Sequence, residues 1–317
     1  MSTARDGPDA PALLAAVRSG DTLAIARAIT AIENRTTVGV ELGLLVGDFN
    51  VHCQTLGVTG PPGAGKSSLI NALVSELLSR YRRIGILTVD PSSPISGGAV
   101  LGDRVRMAAH SANPAVFIRS LATRGHLGGV TRTTKAVIDL LAAGGMSLVI
   151  VETVGTGQSE VEVAELTDVK VVVCAPGLGD EMQAIKAGVL EIADLIVVNK
   201  SDLPDADRTA NHLKAMLHHR GHEETRVALK VSTLNREGVA ALAEAIEERF
   251  AVPHSGAPYA TPKNDKMRLA NDVADLVAAF VRDNGDPRIA EIVGQLSDGS
   301  MARIDGAIAA IRLLAAR

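Results

Sequence analysis

Aromatic residues make up only 2% of the 317 residues, and tryptophan is absent. That scarcity argues against a stacking platform for single-stranded nucleic acid. There is no basic excess either: the formal net charge is −4. Chains that grip nucleic acid or an anionic membrane usually carry one, so neither is expected as a partner. Cysteine is nearly missing. Cys53 and Cys174 lie far apart, each in an apolar, strand-like stretch, and are expected to be buried, reduced thiols. No C-x-x-C pair or Cys/His cluster offers a zinc site. The eight histidines are scattered, and His218, His219 and His222 read as the polar face of a helix rather than as metal ligands. Long apolar runs are also lacking. The stretches "SLVIVETV" and "LIVVN" are too short to cross a bilayer. The opening "MSTARDGPDAP" shows no basic-then-apolar signal pattern. A cytoplasmic location is therefore the expectation.

What is present is enough apolar material for a sizeable core, at 46% hydrophobic and 21% charged residues. Residues 1–50 read as a small helical prefix. Asp9-Ala-Pro begins one helical pattern and Asp21 stands where the N-cap of the next belongs, each followed by apolar residues at helical spacing. From Val51 to Val252 the texture changes. Short β-branched runs at Gln54–Thr59, Ile84–Asp90, Leu148–Glu152, Val169–Ala175, Leu195–Asn199 and Arg226–Ser232 alternate with stretches long enough for helices. This pattern predicts an α/β fold with a mostly parallel sheet flanked by helices. After Val252 comes the linker-like "PHSGAPYATP", then three amphipathic helical segments to residue 317. Those stripes suit packing on the chain's own core and association with another copy equally well.

The stretch Gly60-Pro61-Pro62-Gly63-Ala64-Gly65-Lys66-Ser67-Ser68 fits G-x-x-x-x-G-K-[ST] between a strand and a helix. Backbone N–H groups must curve around a phosphate there, and side chains would block the approach. The following helix adds the positive end of its dipole. Lys66 is placed for the β- and γ-phosphates, and the Ser67 hydroxyl is a hard ligand for Mg²⁺. Base choice is assigned to Asn199-Lys200-Ser201-Asp202, after an apolar run. Asp202 can accept from both N1–H and N2–H₂ of guanine, whereas adenine leaves it unpaired. Asn199 is expected to tie this loop to the phosphate loop, and the Lys200 stem to cover the base. Ser232-Thr233-Leu234, at the next strand end, completes the set. In "LVIVETVGTGQSE" Glu152 ends a strand, and Gly155 follows at D-x-x-G spacing with Glu in place of Asp. Ser67, Asp90, Asp103 and Glu152 are the candidate metal shell. GTP or GDP with Mg²⁺ is the implied ligand.

Five stretches carry a resemblance: "GPPGAGKSS", "VDPSSPISGGAVLGDRVRM", "VETVGTGQSE", "PGLGDEMQAIKAG" and "VVNKSD". Together they resemble the MeaB/ArgK group, G-protein chaperones of adenosylcobalamin-dependent acyl-CoA mutases. The likeness is dense over Leu56–Ser232 and thin beyond Pro253. It implies a P-loop GTPase fold of the branch that holds signal-recognition and nickel-insertion GTPases. It also implies a homodimer made through the C-terminal helical arm. The implied task is to gate adenosylcobalamin transfer from an adenosyltransferase to the mutase, and to help remove damaged cofactor. The family's moving loops correspond to Ser92–Arg106, Gly155–Glu162 and Gly177–Gly188. In the family Asp180, Glu181, Gln183 and Lys186 of the last loop couple the nucleotide state to the mutase, and the candidate reaction residues of this chain are Lys66, Asp103, Arg106, Glu152, Gly155, Asp180 and Lys186. "SPISGG" stands where the family more usually has Ser-x-x-Thr-Gly-Gly, leaving Ile95 where a polar residue is common, and the divergent arm fits another client as well, such as 2-hydroxyisobutyryl-CoA or isobutyryl-CoA mutase. A metal-insertion GTPase or a small-molecule kinase of the same branch is the alternative. The mutase itself is excluded, because the chain has no D-x-H-x-x-G sequence and no room for a barrel of about 250 residues.

Overall fold

The computed structural model describes residues 9–48, 51–90, 110, 112–122, 129–153, 166–177, 193–218, 228–252, 265–283 and 286–316. Asp103, Arg106, Gly155, Asp180, Glu181, Gln183 and Lys186 lie outside them, as do Ile95, His219 and His222. The chain divides into two compact units: Val51–Pro258, and Met1–Asn50 together with Tyr259–Arg317.

The larger unit is built on seven strands: β1 (Gln54–Thr59), β2 (Ile84–Asp90), β3 (Val116–Ala122), β4 (Leu148–Thr153), β5 (Val169–Cys174), β6 (Leu195–Val198) and β7 (Ala228–Lys230). They form one sheet in the order β3-β2-β4-β1-β5-β6-β7, and every pairing is parallel. Parallel neighbours need crossovers, and helices supply those that are described. These are α4 (Lys66–Leu77), α5 (Gly129–Ala143) and α6 (Ala206–His218), while α7 (Val239–Ala251) follows the last strand.

Side-chain alternation sorts the strands into two cores. Leu56, Val58, Val171, Val173, Leu195 and Val197 pack with Leu69, Ile70 and Leu73 of α4 and Leu242 and Ile246 of α7. Their neighbours Val172, Cys174, Ile196 and Val198 pack with Ala206, Ala210 and Leu213 of α6. With both faces covered, near-continuous apolar strands are what the geometry requires. β3 stands at one edge of the sheet and was not among the strands that the sequence pattern suggests.

The smaller unit joins both ends of the chain. Helices α1 (Ala10–Arg18), α2 (Thr22–Asn34) and α3 (Thr37–Asp48) share it with α8 (Asp265–Asp283), α9 (Pro287–Ser297) and α10 (Arg303–Ala315). The caps are local chemistry. Asp9 accepts from Ala12 N at 2.9 Å, and Asp21 from Leu23 N at 2.8 Å. Asp286 accepts from Arg288 N at 3.0 Å, with Pro287 in the first turn. Arg35 forms an ion pair with Asp275 of α8, and Arg282 of the same helix reaches the Arg35 carbonyl at 3.4 Å. The prefix and the arm therefore hold each other. Phe280, Ile289 and Ala310 form the core of the arm.

Candidate functional site

The site begins where β1 runs out. Gly60 has φ 143°, Gly63 φ 76° and Gly65 φ 87°, backbone angles that L-residues rarely adopt. A Cβ on Gly60 would lie 2.1 Å from the Val173 carbonyl oxygen, whereas one on Gly63 would meet nothing within 4 Å. The loop is thus pressed against β5 at its base and open at its tip, as a phosphate cradle requires. Lys66 opens α4 and is buried. Its ammonium donates to the carbonyls of Gly60 at 2.7 Å and Pro61 at 3.1 Å, so it lies folded along the inside of the loop. Ser68 is exposed on the next residue but one.

Ser67 and Glu152 meet across the strand end. Ser67 Oγ donates to Glu152 Oε1 at 2.8 Å, and both residues are buried. Two hard oxygen donors side by side suit Mg²⁺. β2 ends beside them at Asp90, one residue beyond the pairing of Val89 with Thr153. The Asp90 side chain and all of Asp103 lie outside the described residues. Among the described residues, no group of three or more His, Cys, Asp or Glu side chains could hold a metal ion.

The loop expected to read the base follows β6. Asn199 N donates to the Cys174 carbonyl at 2.8 Å. Its Nδ2 donates to the carbonyls of Ala64 at 2.9 Å and Gly65 at 3.3 Å. This is the tie to the phosphate loop that the sequence suggests. It also explains Gly65, where a Cβ would stand 2.5 Å from Asn199 Nδ2. Lys200 has φ 55°, an unusual angle for a residue with a side chain. Its Cε comes within 4.0 Å of the position a Gly65 Cβ would take. Asp202 is exposed. Ser232 Oγ donates to Asp202 Oδ1 at 2.6 Å and accepts from Asn235 N at 3.2 Å, which orients the carboxylate. Thr233 is half-buried, and Leu234 is 80% exposed beside the loop.

Two residues that motif reading passes over belong here as well. Thr153 Oγ1 donates to Thr59 Oγ1 at 2.8 Å, in the interior. Cys174 supplies the carbonyl that seats Asn199, and burial pushes its thiol from 9.0 to about 12.

The sequence profile of the family described as "Methylmalonyl Co-A mutase-associated GTPase MeaB" matches residues 25–286. The chain belongs to the MeaB family of GTPases. A relative from Pyrococcus horikoshii, named as a GTPase, is 38% identical over 284 residues, 88% of this chain and 89% of its own. The Escherichia coli protein named GTPase ArgK is 40% identical over 190 residues, 59% of this chain and 57% of its own. A Caenorhabditis elegans protein named "Methylmalonic aciduria type A homolog, mitochondrial" is 38% identical over 216 residues, 63% of this chain and 54% of its own. The crystal structure described as an LAO/AO transport system kinase superposes with a TM-score of 0.64 at 25% identity, covering 96% of both chains. For this MeaB-family chain, the P-loop reading of Gly60–Ser67 and the parallel α/β fold thus rest on family membership as well as on geometry. The match begins within α2 and ends at the start of α9, so it includes parts of both units.

Proposed function

We propose that this chain hydrolyses GTP, with Mg²⁺, to control adenosylcobalamin loading, protection and repair of an acyl-CoA mutase. The observation that carries the GTP reading is the join between the two loops. Asn199 links the base-reading loop to Ala64 and Gly65, while Ser232 aims Asp202. Base and phosphates would then be held by one connected set of residues. Asp202 selects guanine through paired, charge-assisted hydrogen bonds. The loop amides, Lys66 and the α4 terminus take the phosphates. Ser67 and Glu152 would hold Mg²⁺, which supplies charge neutralisation at the β- and γ-oxygens.

The mutase as partner is supported by the family description and by the name of the nematode relative. An adenosyltransferase partner and a cytoplasmic location are part of the same proposal. The proposed homodimer has structural support of its own. Leu269 and Val273 on α8, Val293 on α9, and Ile304, Ile308 and Ile311 on α10 are all at least 40% exposed. Asp103, Arg106, Gly155, Asp180 and Lys186 are assigned to phosphate sensing and to coupling with the mutase.

The test is GTP turnover by the full chain with and without an adenosylcobalamin-dependent acyl-CoA mutase. The expected result is slow turnover alone and acceleration of at least tenfold with the mutase. Unchanged turnover in the presence of methylmalonyl-, isobutyryl- and 2-hydroxyisobutyryl-CoA mutases would overturn the partner assignment. Phosphate appearing on a small molecule instead of in water would point to a kinase.

A further inference from the structure

β1 and β4 lie side by side, with Val58 paired to Glu152. One residue on, Thr59 and Thr153 are joined by their hydroxyls at 2.8 Å. Both are buried, at 4% and 3% exposure. Because strand side chains alternate, Glu152 and Thr153 leave the sheet on opposite faces. Glu152 faces α4, where it meets Ser67, and Val58 packs with α4 on that same side. Thr153 and Thr59 share the other face. The tip of β4 is therefore pinned twice, once to the phosphate-loop helix and once to the phosphate-loop strand.

The two pins differ in what they use. The Ser67–Glu152 contact employs a hydroxyl and a carboxylate that a magnesium–nucleotide complex would claim. The Thr153–Thr59 contact employs neither a phosphate-facing amide nor a metal ligand, so it can stay closed while the first pin is exchanged. Thr59 also leads directly into Gly60, whose carbonyl accepts from Lys66 at 2.7 Å.

We propose that Thr153 is a positioning residue for GTP hydrolysis, acting through the buried hydroxyl of Thr59 to hold Glu152 in fixed relation to Lys66 and Ser67. This rests on the reading of Gly60–Ser67 as the phosphate site. A displacement of about 1 Å in such an arrangement can cost on the order of 10²-fold in rate, so a hydroxyl that touches no substrate can still control turnover.

A purely structural role for the pair makes a different forecast. Removing one hydroxyl leaves the other buried without a partner, which destabilises, but replacing both with groups of the same shape is close to neutral. The variants are therefore Thr153→Val, Thr153→Ser and the double Thr59→Val/Thr153→Val. Each is made in the full chain and measured for GTP affinity, single-turnover hydrolysis and thermal midpoint. The expected result is hydrolysis down about tenfold in Thr153→Val, with GTP affinity within about twofold of wild type, and recovery to within about threefold in Thr153→Ser. The double variant should regain the thermal midpoint and still hydrolyse slowly. Should Thr153→Val fail to fold, the double variant and Thr153→Ser decide the matter. Wild-type hydrolysis in the double variant, or in Thr153→Val, would overturn the proposal. A wild-type chain that binds no GTP would overturn the phosphate-site reading instead.

Discussion

The Ser67 hydroxyl donates to Glu152 Oε1 across 2.8 Å, joining the first turn of α4 to the end of β4 inside the protein. Glutamate is one methylene longer than the aspartate usual at this point of a P-loop fold. Here its carboxylate touches the hydroxyl directly. Any Mg²⁺ bound through Ser67 would therefore feel Glu152 as an immediate neighbour. Glu152→Gln keeps the size and an acceptor oxygen but removes the charge. It should raise the Mg²⁺ concentration needed for half-maximal hydrolysis by about 10- to 100-fold. Nucleotide affinity measured with EDTA present should stay close to wild type. A Mg²⁺ titration curve unchanged from wild type would remove Glu152 from the metal site.

Lys66 is buried and folded onto the carbonyls of Gly60 and Pro61. In the proposed phosphate site the ammonium would exchange those carbonyls for phosphate oxygens. One charge would serve both bound nucleotide and transition state, so Lys66→Ala should lose binding and hydrolysis together, the latter by on the order of 10²-fold or more. Calorimetry and a phosphate-release assay on one preparation would show it. Full turnover in that variant would mean that the loop is not the phosphate site.

The motifs were legible because each is local. The phosphate loop, the N-K-x-D run and the strand before each could be read from a few adjacent residues. Strand β3 was not. "VFIRSLA" carries Arg119 and Ser120 in its middle and lacks the apolar continuity of β1 or β4. It tolerates them because it lies at the sheet edge, where Ser120 accepts from Thr88 of β2 at 2.8 Å. The Thr59–Thr153 pair was illegible for another reason. The two residues are 94 positions apart, and only the strand order places β1 next to β4. The stripes on α1–α3 and α8–α10 showed that each helix buries a face. That Arg35 would meet Asp275, drawing both ends of the chain into one unit, depends on three-dimensional closure that periodicity does not contain.

Asp202 is exposed but not loose, because Ser232 Oγ donates to its Oδ1 at 2.6 Å. Asp202→Asn replaces an acceptor with a donor at the guanine N2 edge and should weaken GTP by about 10²-fold or more, while admitting xanthosine triphosphate. Ser232→Ala leaves the carboxylate in place but frees its rotation. Its expected effect is smaller, about 3- to 10-fold in GTP affinity, consistent with loss of one hydrogen bond to a charged group. Competition binding with GTP, ATP and xanthosine triphosphate would read both. Equal affinity of the wild type for ATP and GTP would overturn the base-selection argument.

Both thiols are held protonated by burial. Burial raises Cys53 from 9.0 to about 12, and Asp139 and Asp168 add to the effect. Burial alone does the same for Cys174. Their pKa is higher in the folded state than in the unfolded one. The stability linked to them is therefore complete below about pH 9 and is lost as pH rises from there toward 12. Denaturant midpoints should fall across this alkaline window. Cys53→Ser/Cys174→Ser should reduce that slope. At pH 8 neither thiol should react with a disulfide reagent until the chain is unfolded. Rapid labelling of Cys174 in the native protein would contradict the burial of its thiol.

Helix α10 has two apolar faces. Gly306 and Ala310 turn inward, a Gly306 Cβ would meet Leu296 of α9 at 3.0 Å, and Ala310 packs with Phe280 and Ile289. Ile304, Ile308 and Ile311 face outward at 66%, 40% and 47% exposure. Spacings of four and three residues put those three on one stripe. Fully burying one isoleucine side chain contributes about 1.5–3 kcal/mol, so covering the exposed parts of three favours association, less the cost of bringing two chains together. The proposed occupant is the same stripe on a second copy, since a two-fold contact sets like residues against each other. Ile304→Glu/Ile311→Glu would place carboxylates there, a large penalty if the face is covered and nearly none if it is wet. Sedimentation of the full chain should give a dimer for the wild type and a monomer for the variant. GTP affinity should be preserved, because Lys66, Asn199 and Asp202 belong to the other compact unit. A wild type that sediments as a monomer, or a variant that remains a dimer, would show that α10 is not the association surface.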